Sequence, residues 1–300
     1  MNRIILPIMA LAALTGCSKN GAHTANTDDR VPVRLGAGVE VQAKAPVNTD
    51  MSFEAAVAAW ETSAPTVDYG AATAWRQTVT ITADPTAAQT VVLEPARYYR
   101  PDPAVRTYIH AWYPAGTWNG DGTVSIDAQG GETDPMIAPQ VSGSSKDNGE
   151  KNLAFSHPTT QIKFMVAAGE GLAAGTRIEG ITIKDAVLPT GFDLNAGSVT
   201  YAASAADLPV PGLVAAEIGT AAPAGHPVMI RPIDRSFFFV DVAVSGYVFR
   251  DVRVDVAAPD TRFEAGKAYT ITLTVRQREI SLKATTAEWD YKGGGGAVLE

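Results

Sequence analysis

VPVRLGAGVEVQAK, residues 31–44, is the stretch from which the fold of this chain can be inferred, because its side chains alternate in type. The odd positions carry only apolar side chains, namely Val31, Val33, Leu35, Ala37, Val39, Val41 and Ala43. Successive side chains of a strand point to opposite faces of a sheet, so this period of two predicts a long half-buried β-strand. Pro32 lacks a backbone donor, which places the start of the strand at a sheet edge.

Similar short apolar runs recur along the chain and are separated by turn residues. Strands are predicted at residues 77–82, 90–93, 107–113, 153–155, 161–166, 177–184, 191–201, 228–233, 237–244, 247–256 and 269–275, with a continuation at 280–284. Asn119-Gly120-Asp121-Gly122 has the composition of a hairpin turn, in which glycine adopts positive φ. The Ala- and Pro-rich residues 202–225 are predicted to be irregular.

One segment has helical spacing instead. Phe53, Val57 and Trp60 lie at i, i+4 and i+7, four alanines stand between them, and Asp50 or Ser52 can cap the first turn. We therefore expect one short helix in an otherwise all-β chain. Many short strands with frequent turns are typical of antiparallel β-sandwiches rather than βαβ units.

The polar, glycine-rich interval at residues 139–151 is predicted to be a long loop or a domain boundary. The length suits two sandwiches, so we expect an N-terminal sandwich at residues 31–146 and a C-terminal one at 147–291. Residues 292–300, which contain four consecutive glycines, are expected to form a flexible tail.

The first seventeen residues indicate export and lipidation. A basic start is followed by an apolar run from Ile4 to Leu14, which is shorter than the roughly 20 residues of a membrane-spanning helix. Residues 1–16 are therefore predicted to be a signal peptide. Leu14-Thr15-Gly16-Cys17 is similar to a lipobox, so Cys17 is the predicted lipidation site and a lipid anchor in the bacterial envelope is expected. Residues 17–30 contain no large apolar side chain and are predicted to be a solvated tether.

Composition excludes some partners. The formal net charge is -8, and phosphate binding requires a basic patch, so a nucleic-acid partner is not expected. Cys17 is the only cysteine, so no internal disulfide can form.

The sequence offers no clear catalytic, cofactor or metal site. None of the four histidines, His23, His110, His157 and His226, has a second ligand at metal-binding spacing. A nucleophile elbow of the form Gly-x-Ser-x-Gly is absent. Asn119 to Gly122 lacks the remaining positions of a calcium loop, and residues 169–175 lack the spacing of a dinucleotide-binding loop. We therefore expect neither enzymatic activity nor a cofactor.

A group of aromatic side chains suggests an alternative function. Six lie close together in sequence, namely Tyr98, Tyr99, Tyr108, Trp112, Tyr113 and Trp118. If two of these rings were exposed and roughly coplanar, they could stack on a sugar, whereas packing in a sandwich core would require their burial.

Several separate motifs resemble those of the fimbrillin family, the lipoprotein-derived pilins and accessory subunits of type V fimbriae in Gram-negative gut and oral bacteria. They are the lipobox at 14–17, Tyr108–Gly116 (YIHAWYPAG), Asp134–Ala138 (DPMIA), Leu153–His157 (LAFSH) leading into Gln161–Phe164 (QIKF), and Phe263–Tyr269 (FEAGKAY) before a last strand pair ending at Trp289. Their order extends over nearly the whole mature chain.

The resemblance implies two transthyretin-like β-sandwich domains and a route of assembly. In such pilins a protease cuts after a basic residue, the first strand is removed, and the opened groove accepts a strand from another subunit. Arg30 and Arg34 are the positions here where the cut could fall, and Val31 to Ala43 is the segment that would leave or be exposed. Backbone hydrogen bonds and alternating side chains would then supply the affinity between subunits.

The main functional hypothesis is therefore a lipid-anchored structural, tip or accessory subunit of a fimbrium, which contacts other fimbrial subunits and contributes to adhesion to a host or bacterial surface. The alternative is a glycan-binding surface lipoprotein that uses the aromatic group. A third hypothesis, an envelope hydrolase, requires two carboxylates facing each other in a cleft.

Overall fold

The computed structural model describes residues 30–39, 52–82, 89–276 and 279–287. Every regular secondary-structure element in these ranges is a β-strand, which confirms the predicted all-β class. The strands of the first half are β1 (Leu35–Val39), β2 (Ser52–Thr62), β3 (Trp75–Thr82), β4 (Gln89–Val91), β5 (Arg106–Tyr113), β6 (Thr117–Trp118), β7 (Thr123–Ser125), β8 (Met136–Gly143) and β9 (Lys151–Phe155).

The second half contains the remaining strands. They are β10 (Thr160–Ala168), β11 (Arg177–Ala186), β12 (Pro189–Asp193), β13 (Ser198–Tyr201), β14 (Ala206–Pro209), β15 (Ala216–Glu217), β16 (Ala222–Pro223), β17 (Val228–Ile230), β18 (Phe237–Val244), β19 (Tyr247–Asp255), β20 (Ala268–Arg276) and β21 (Glu279–Ala287). Strands β14, β15 and β16 lie in residues 202–225, so the expected irregular segment contains short paired pieces.

The described strands form five sheets. The first has the order β4-β1-β9, the second β3-β2-β5-β8, and the third β13-β12-β7-β6. The fourth has the order β16-β10-β20-β21, with β17 also paired to β10, and the fifth has the order β14-β11-β18-β19, with β15 also paired to β11. Most pairs are antiparallel, but β1 with β9 and β10 with β20 are parallel.

Three large apolar clusters hold the described sheets together. The first two sheets enclose one cluster, which includes Leu35, Phe155 and Ile81. The other face of the second sheet packs on the third sheet through a cluster that includes Trp112 and Phe192. The fourth and fifth sheets enclose the largest cluster, in which all of the buried side chains lie between Ile162 and Ala284. The second sheet is therefore the middle of three layers, whereas the last two sheets form a two-layer sandwich.

The predicted helix is wrong, because Phe53, Val57 and Trp60 lie in strand β2. This strand pairs with β3 on one side and β5 on the other, and residues 55–60 are all buried. Phe53 and Val57 face the first sheet, whereas Trp60 faces the third. A strand that is buried on both faces has no apolar–polar alternation, and its alanines let layers approach on both sides.

The strand predicted at residues 31–43 is shorter and lies elsewhere in its sheet. Regular pairing begins at Leu35 and is described to Val39, and residues 40–43 lie outside the described residues. Pro32 makes only an isolated bridge to Tyr98. Strand β1 is the middle strand of the first sheet, so the expected edge position is corrected: the proline precedes the ladder instead of belonging to an edge.

The hydrogen bonding also crosses the predicted boundary near residue 146. Strand β9, which the sequence assigns to the C-terminal sandwich, pairs with β1 over five residues. The hairpin of β12 and β13 pairs with β7 through Gly191, Phe192 and Asp193. The N-terminal half is therefore completed by strands from beyond residue 146, and the unit from Val31 onward is compact as a whole.

The turn predicted at Asn119 to Gly122 is confirmed. It joins β6 to β7, and the Asn119 amide donates to the Thr123 carbonyl over 3.1 Å. Gly120 and Gly122 both have φ of 84°, a conformation that is unfavourable for side chains other than glycine.

Candidate assembly site at the N-terminal strand

Strand β1 fills a slot in the first sheet. It pairs antiparallel with three residues of β4 and parallel with five residues of β9. The side chains of Leu35 and Ala37 are completely buried, and those of Val33 and Val39 are each 7% exposed. The first sheet is therefore complete only while a strand with small and apolar side chains at these positions occupies the slot.

The slot is lined by apolar side chains that are buried only while β1 occupies it. Leu153 and Phe155 of β9 and Ile81 of β3 are fully buried in the same cluster as β1. A Cβ atom added to Gly36 would lie 2.7 Å from a carboxylate oxygen of Glu150, which shows how closely the neighbouring chain approaches. Without β1, the backbone of β4 and β9 would lose its partners and the cluster would open to water.

The two candidate processing residues lie before this strand. Arg30 and Arg34 are both exposed. The Arg34 carbonyl accepts a hydrogen bond from the Lys151 amide over 3.0 Å, and the Val31 carbonyl accepts one from the Tyr99 amide over 2.9 Å. Arg34 is thus enclosed by paired backbone, whereas Arg30 precedes the first of these bonds. A cut after either residue leaves Leu35–Val39 joined to the chain through residues 40–51.

Cys17, the predicted lipidation site, lies outside the described residues, as do His23, Trp289 and residues 292–300. In the described ranges, no helix has the length and apolar character needed to cross a bilayer.

The six aromatic side chains form no exposed coplanar pair. Trp112 is fully buried and Tyr99 is 3% exposed, while the other four are partly buried. Trp112 and Trp118 are stacked with ring centroids 6.2 Å apart, but Trp112 donates its Nε1 hydrogen to the Ala115 carbonyl beneath the surface. These rings therefore pack the core and its rim, and they provide no support for a sugar-stacking platform at this position.

His110 and Trp112 lie on the same side of β5, in the layer between the second and third sheets. Its ring is 2% exposed and contacts Tyr69 and Trp60 edge to face, with centroids 4.8 and 6.3 Å away. Burial lowers the pKa of His110 to about 4, with a smaller opposing effect from the Leu194 backbone. The imidazole is thus neutral at physiological pH and is enclosed by aromatic rings.

The other two described histidines each face one carboxylate. His157 Nδ1 lies 3.0 Å from Asp134 Oδ2, and both side chains are buried. His226 Nδ1 lies 2.5 Å from Glu132 Oε1, and both of these side chains are partly exposed. Within the ranges that the structure describes, no three His, Cys, Asp or Glu side chains gather in a way that could hold a metal ion.

Two of the sequence motifs meet in space. The DPMIA segment at 134–138 and the LAFSH segment at 153–157 are joined by the pair of backbone hydrogen bonds between Ile137 and Ser156, at 3.1 and 3.3 Å. The contact between His157 Nδ1 and the Asp134 carboxylate lies at the same junction. These motifs therefore connect the edge of the second sheet to β9, which is one wall of the β1 slot.

The FEAGKAY motif fixes the entry to β20. Its Lys267 ammonium lies 2.8 Å from Asp260 and 2.6 Å from Glu264, and the Tyr269 hydroxyl donates to Asp260 over 3.1 Å. Burial disfavours the charged ammonium, but the hydrogen bonds to Asp260 and Glu264 outweigh it and raise the pKa of Lys267. The Gly266 amide, at φ of 71°, donates to the Thr159 carbonyl. We assign this motif a structural role.

The sequence interpretation missed a polar cavity of about 570 Å³ in the second half, next to Asp185 and Arg231. Its walls come from segments about forty-five residues apart in the chain. The only local signal was the pair of arginines in Arg231-Pro232-Ile233-Asp234-Arg235.

Comparison with known proteins gives a consistent result. A family model described as fimbrillin-like matches residues 41–289. A candidate cell adhesion protein of Bacteroides uniformis has a similar structure, with a TM-score of 0.55, 20% identity, and coverage of 88% of this chain and 100% of that one. A candidate cell adhesion protein of Bacteroides ovatus has a TM-score of 0.51, 15% identity, and coverage of 88% and 99%.

No curated protein sequence matches the chain. At these identities the two structures show the fold alone, a β-sandwich architecture shared with cell adhesion proteins. The family model, in contrast, covers most of the chain, from residue 41 to residue 289. The chain therefore belongs to the fimbrillin-like family.

Proposed function

We propose that this protein is a subunit of a surface fimbrium that contributes to cell adhesion and contacts other fimbrial subunits. Its membership of the fimbrillin-like family supports a structural role in a fimbrium, and the names of the two similar structures support a role in adhesion. We propose no enzymatic activity and no cofactor, because the proposed role depends on backbone pairing and packing.

The observation that carries the proposal is the position of β1. A short strand near the N-terminus lies between β4 and β9 and completes the apolar cluster between the first two sheets. A strand from another subunit with the same alternation could replace it, since it would restore the same backbone pairs and fill the same pockets. This supports assembly by β-strand exchange, with the chain as a stalk, tip or accessory subunit.

Arg30 is the better of the two candidate processing sites. A protease must bind its substrate as an extended strand, and the backbone on either side of Arg34 is already paired in the sheet. The described backbone bonds begin after Arg30, at the Val31 carbonyl, so fewer of them flank a cut at this residue than a cut at Arg34. A cut there removes the tether but not β1, so exchange requires β1 to leave the slot while residues 40–51 keep it attached.

An arginine-specific protease tests this order of events. We expect the purified protein to be cut after Arg30 first, as read from the new N-terminus, and to form polymers that are visible by size-exclusion chromatography and electron microscopy. The Arg30→Ala variant should be cut slowly and remain monomeric, while Arg34→Ala should behave like the wild type. Clean cutting at Arg30 that yields only monomers would contradict strand exchange and leave a tip or anchor role.

We further propose that a lipid on Cys17 anchors the protein to the outer membrane. Several acyl chains on one N-terminus give durable attachment, whereas a single chain binds marginally. The Cys17→Ser variant should lose labelling by radioactive palmitate and leave the membrane fraction. If this variant stayed in the membrane fraction, the anchor would have to lie elsewhere.

A further inference from the structure

The cavity in the second half is bounded by two short segments. One runs from Ile183 to Val187, at the end of β11, and the other from Ile230 to Arg235, between β17 and β18. The Arg231 amide donates to the Val187 carbonyl over 2.8 Å, which holds the two segments together. The side chain of Phe238, 2% exposed, closes the base of the cavity.

The cavity has cations that are not neutralised by the protein. Arg231 and Arg235 both line it, and in the described part of the chain neither guanidinium forms an ion pair. Arg235 lies only over the Phe237 ring, 5.4 Å from its centroid. Lys184, the third cation of the lining, is in contrast occupied by Asp207 and Asp241.

The wall formed by the end of β11 has an irregular backbone, and this places the polar side chain of Asp185 at the cavity. The pairing of β11 with β14 shifts register between Ile183 and Ala186. Asp185, within that bulge, has φ of 54°, and it lines the cavity. Bulges change the direction of side chains and are frequent beside binding sites. Asp185 is exposed, so its carboxylate can accept hydrogen bonds from a ligand.

We propose that this cavity binds a saccharide that carries a carboxylate, such as a uronic acid. Guanidinium groups match the geometry of a carboxylate, so Arg231 and Arg235 would bind the acid group. Asp185 would accept from sugar hydroxyls, and the apolar side chains at the base would contact the carbon face of the ring. The acidic Asp185 and Asp234 disfavour densely charged ligands, because the lining has three cations and two anions.

This inference is independent of strand exchange, since the cavity lies in β11, β17, β18 and their connections and not at the β1 slot. It specifies a ligand for a surface protein whose aromatic group near Trp112 offers none. Because both arginines are exposed, binding should be weak and should weaken further as salt is added.

Saturation-transfer NMR and titration calorimetry on the Cys17→Ser protein test the proposal, with glucuronic acid, glucose and inorganic phosphate as probes. We expect glucuronic acid to bind and glucose to bind at least several times more weakly. Arg231→Ala and Arg235→Ala should each weaken glucuronic acid binding roughly three- to fivefold, the range of an exposed ion pair. Arg76→Ala, which removes an exposed cation from β3, should leave it unchanged.

Arg231→Lys keeps the charge but loses the two-pronged donor, so it should weaken binding less than Arg231→Ala does. Equal binding of glucose and glucuronic acid, or unchanged binding by both alanine variants, would overturn the proposal. Tighter binding of phosphate than of glucuronic acid would show an anion site without sugar recognition and would also overturn it. None of these results depends on polymer formation, so the proposed fimbrial function is tested separately.

Discussion

The second sheet and the fifth sheet differ in how many of their faces are covered. In β2, a middle strand of the second sheet, residues 55–60 are buried without alternation, because the first sheet covers one face and the third sheet the other. In β18, a middle strand of the fifth sheet, buried and partly exposed residues alternate throughout. The difference teaches that the N-terminal half depends on strands supplied from beyond residue 146, whereas the C-terminal sandwich is built from its own strands.

The largest expected effect comes from cutting the chain at the boundary proposed from sequence. A fragment of residues 31–146 lacks β9, β12 and β13, so the first sheet and the third sheet both lose strands. We expect it to lack cooperative unfolding and near-ultraviolet circular dichroism. A fragment of residues 158–287 retains all buried side chains of the C-terminal cluster and should fold.

A dispersed NMR spectrum from the 31–146 fragment would contradict this dependence. Extending that fragment to residue 156 restores β9 and provides an intermediate case. It should recover part of the structure, because the slot of β1 is then complete while the third sheet, on the outer face of the second sheet, still lacks β12 and β13.

The next effect is a dependence of stability on pH, which arises from a histidine that the third layer buries. Burial lowers the pKa of His110 to about 4 from an ordinary 6.5. In the unfolded chain His110 therefore becomes protonated below about pH 6.5, whereas in the folded chain it stays neutral down to about pH 4. The stability that a neutral His110 contributes is present above pH 6.5 and is lost progressively as the pH falls toward 4, by about 3 kcal/mol in total.

Chemical denaturation at several pH values measures this loss. The His110→Leu variant should show a decline between pH 6.5 and 4 that is smaller by that amount. If His110→Leu and the wild type declined in parallel, the buried imidazole would not be the titrating group.

The smallest expected effect is on the free energy of unfolding when glycine is replaced by alanine at two different strand positions. A Cβ atom at Gly191 of β12 would lie 1.9 Å from the Val124 carbonyl oxygen, so the third sheet must shift to admit it. Gly191→Ala should lower the free energy of unfolding by about 1–3 kcal/mol. At Gly180 of β11 the nearest neighbouring atom would be the Ala243 Cβ, at an ordinary 3.8 Å.

Gly180→Ala should therefore be neutral or stabilise the protein by up to about 1 kcal/mol, because alanine restricts the unfolded chain more than glycine does. Urea denaturation of both variants gives the comparison. Equal losses at the two positions would mean that the close approach of β12 to β7 does not control stability.

Much of the fold could be predicted because strands with one covered face carry a period-two pattern. The alternation at Phe237 to Val244 and the turn at Asn119 to Gly122 both followed from local sequence. The pattern failed at Phe53 to Trp60, where covering both faces removed the alternation and left an apparent helical spacing. Nothing in the sequence near Leu153 or Phe192 shows that these residues complete sheets of the N-terminal half, because their partner strands are far away in sequence.

The candidate site was predictable to a similar degree. The alternation at Val33 to Val39 identified a strand whose apolar face is buried, and the basic residues before it are visible in sequence. Coordinates were required to show that β1 is a middle strand and that Arg34 lies within paired backbone. The cavity at Asp185 and Arg231 was missed because its walls approach each other only through the folded second half.

The parallel pairing of β1 with β9 also sets an order of events during biogenesis. The ribosome makes Val39 well before Phe155, and at roughly 5–20 residues per second the delay is on the order of ten seconds. During this interval the N-terminal strand lacks β9 and can pair only with β4, so the buried face of β1 is not yet fully enclosed. A secretion chaperone that shields this strand until Lys151–Phe155 has emerged would prevent premature association between newly made copies.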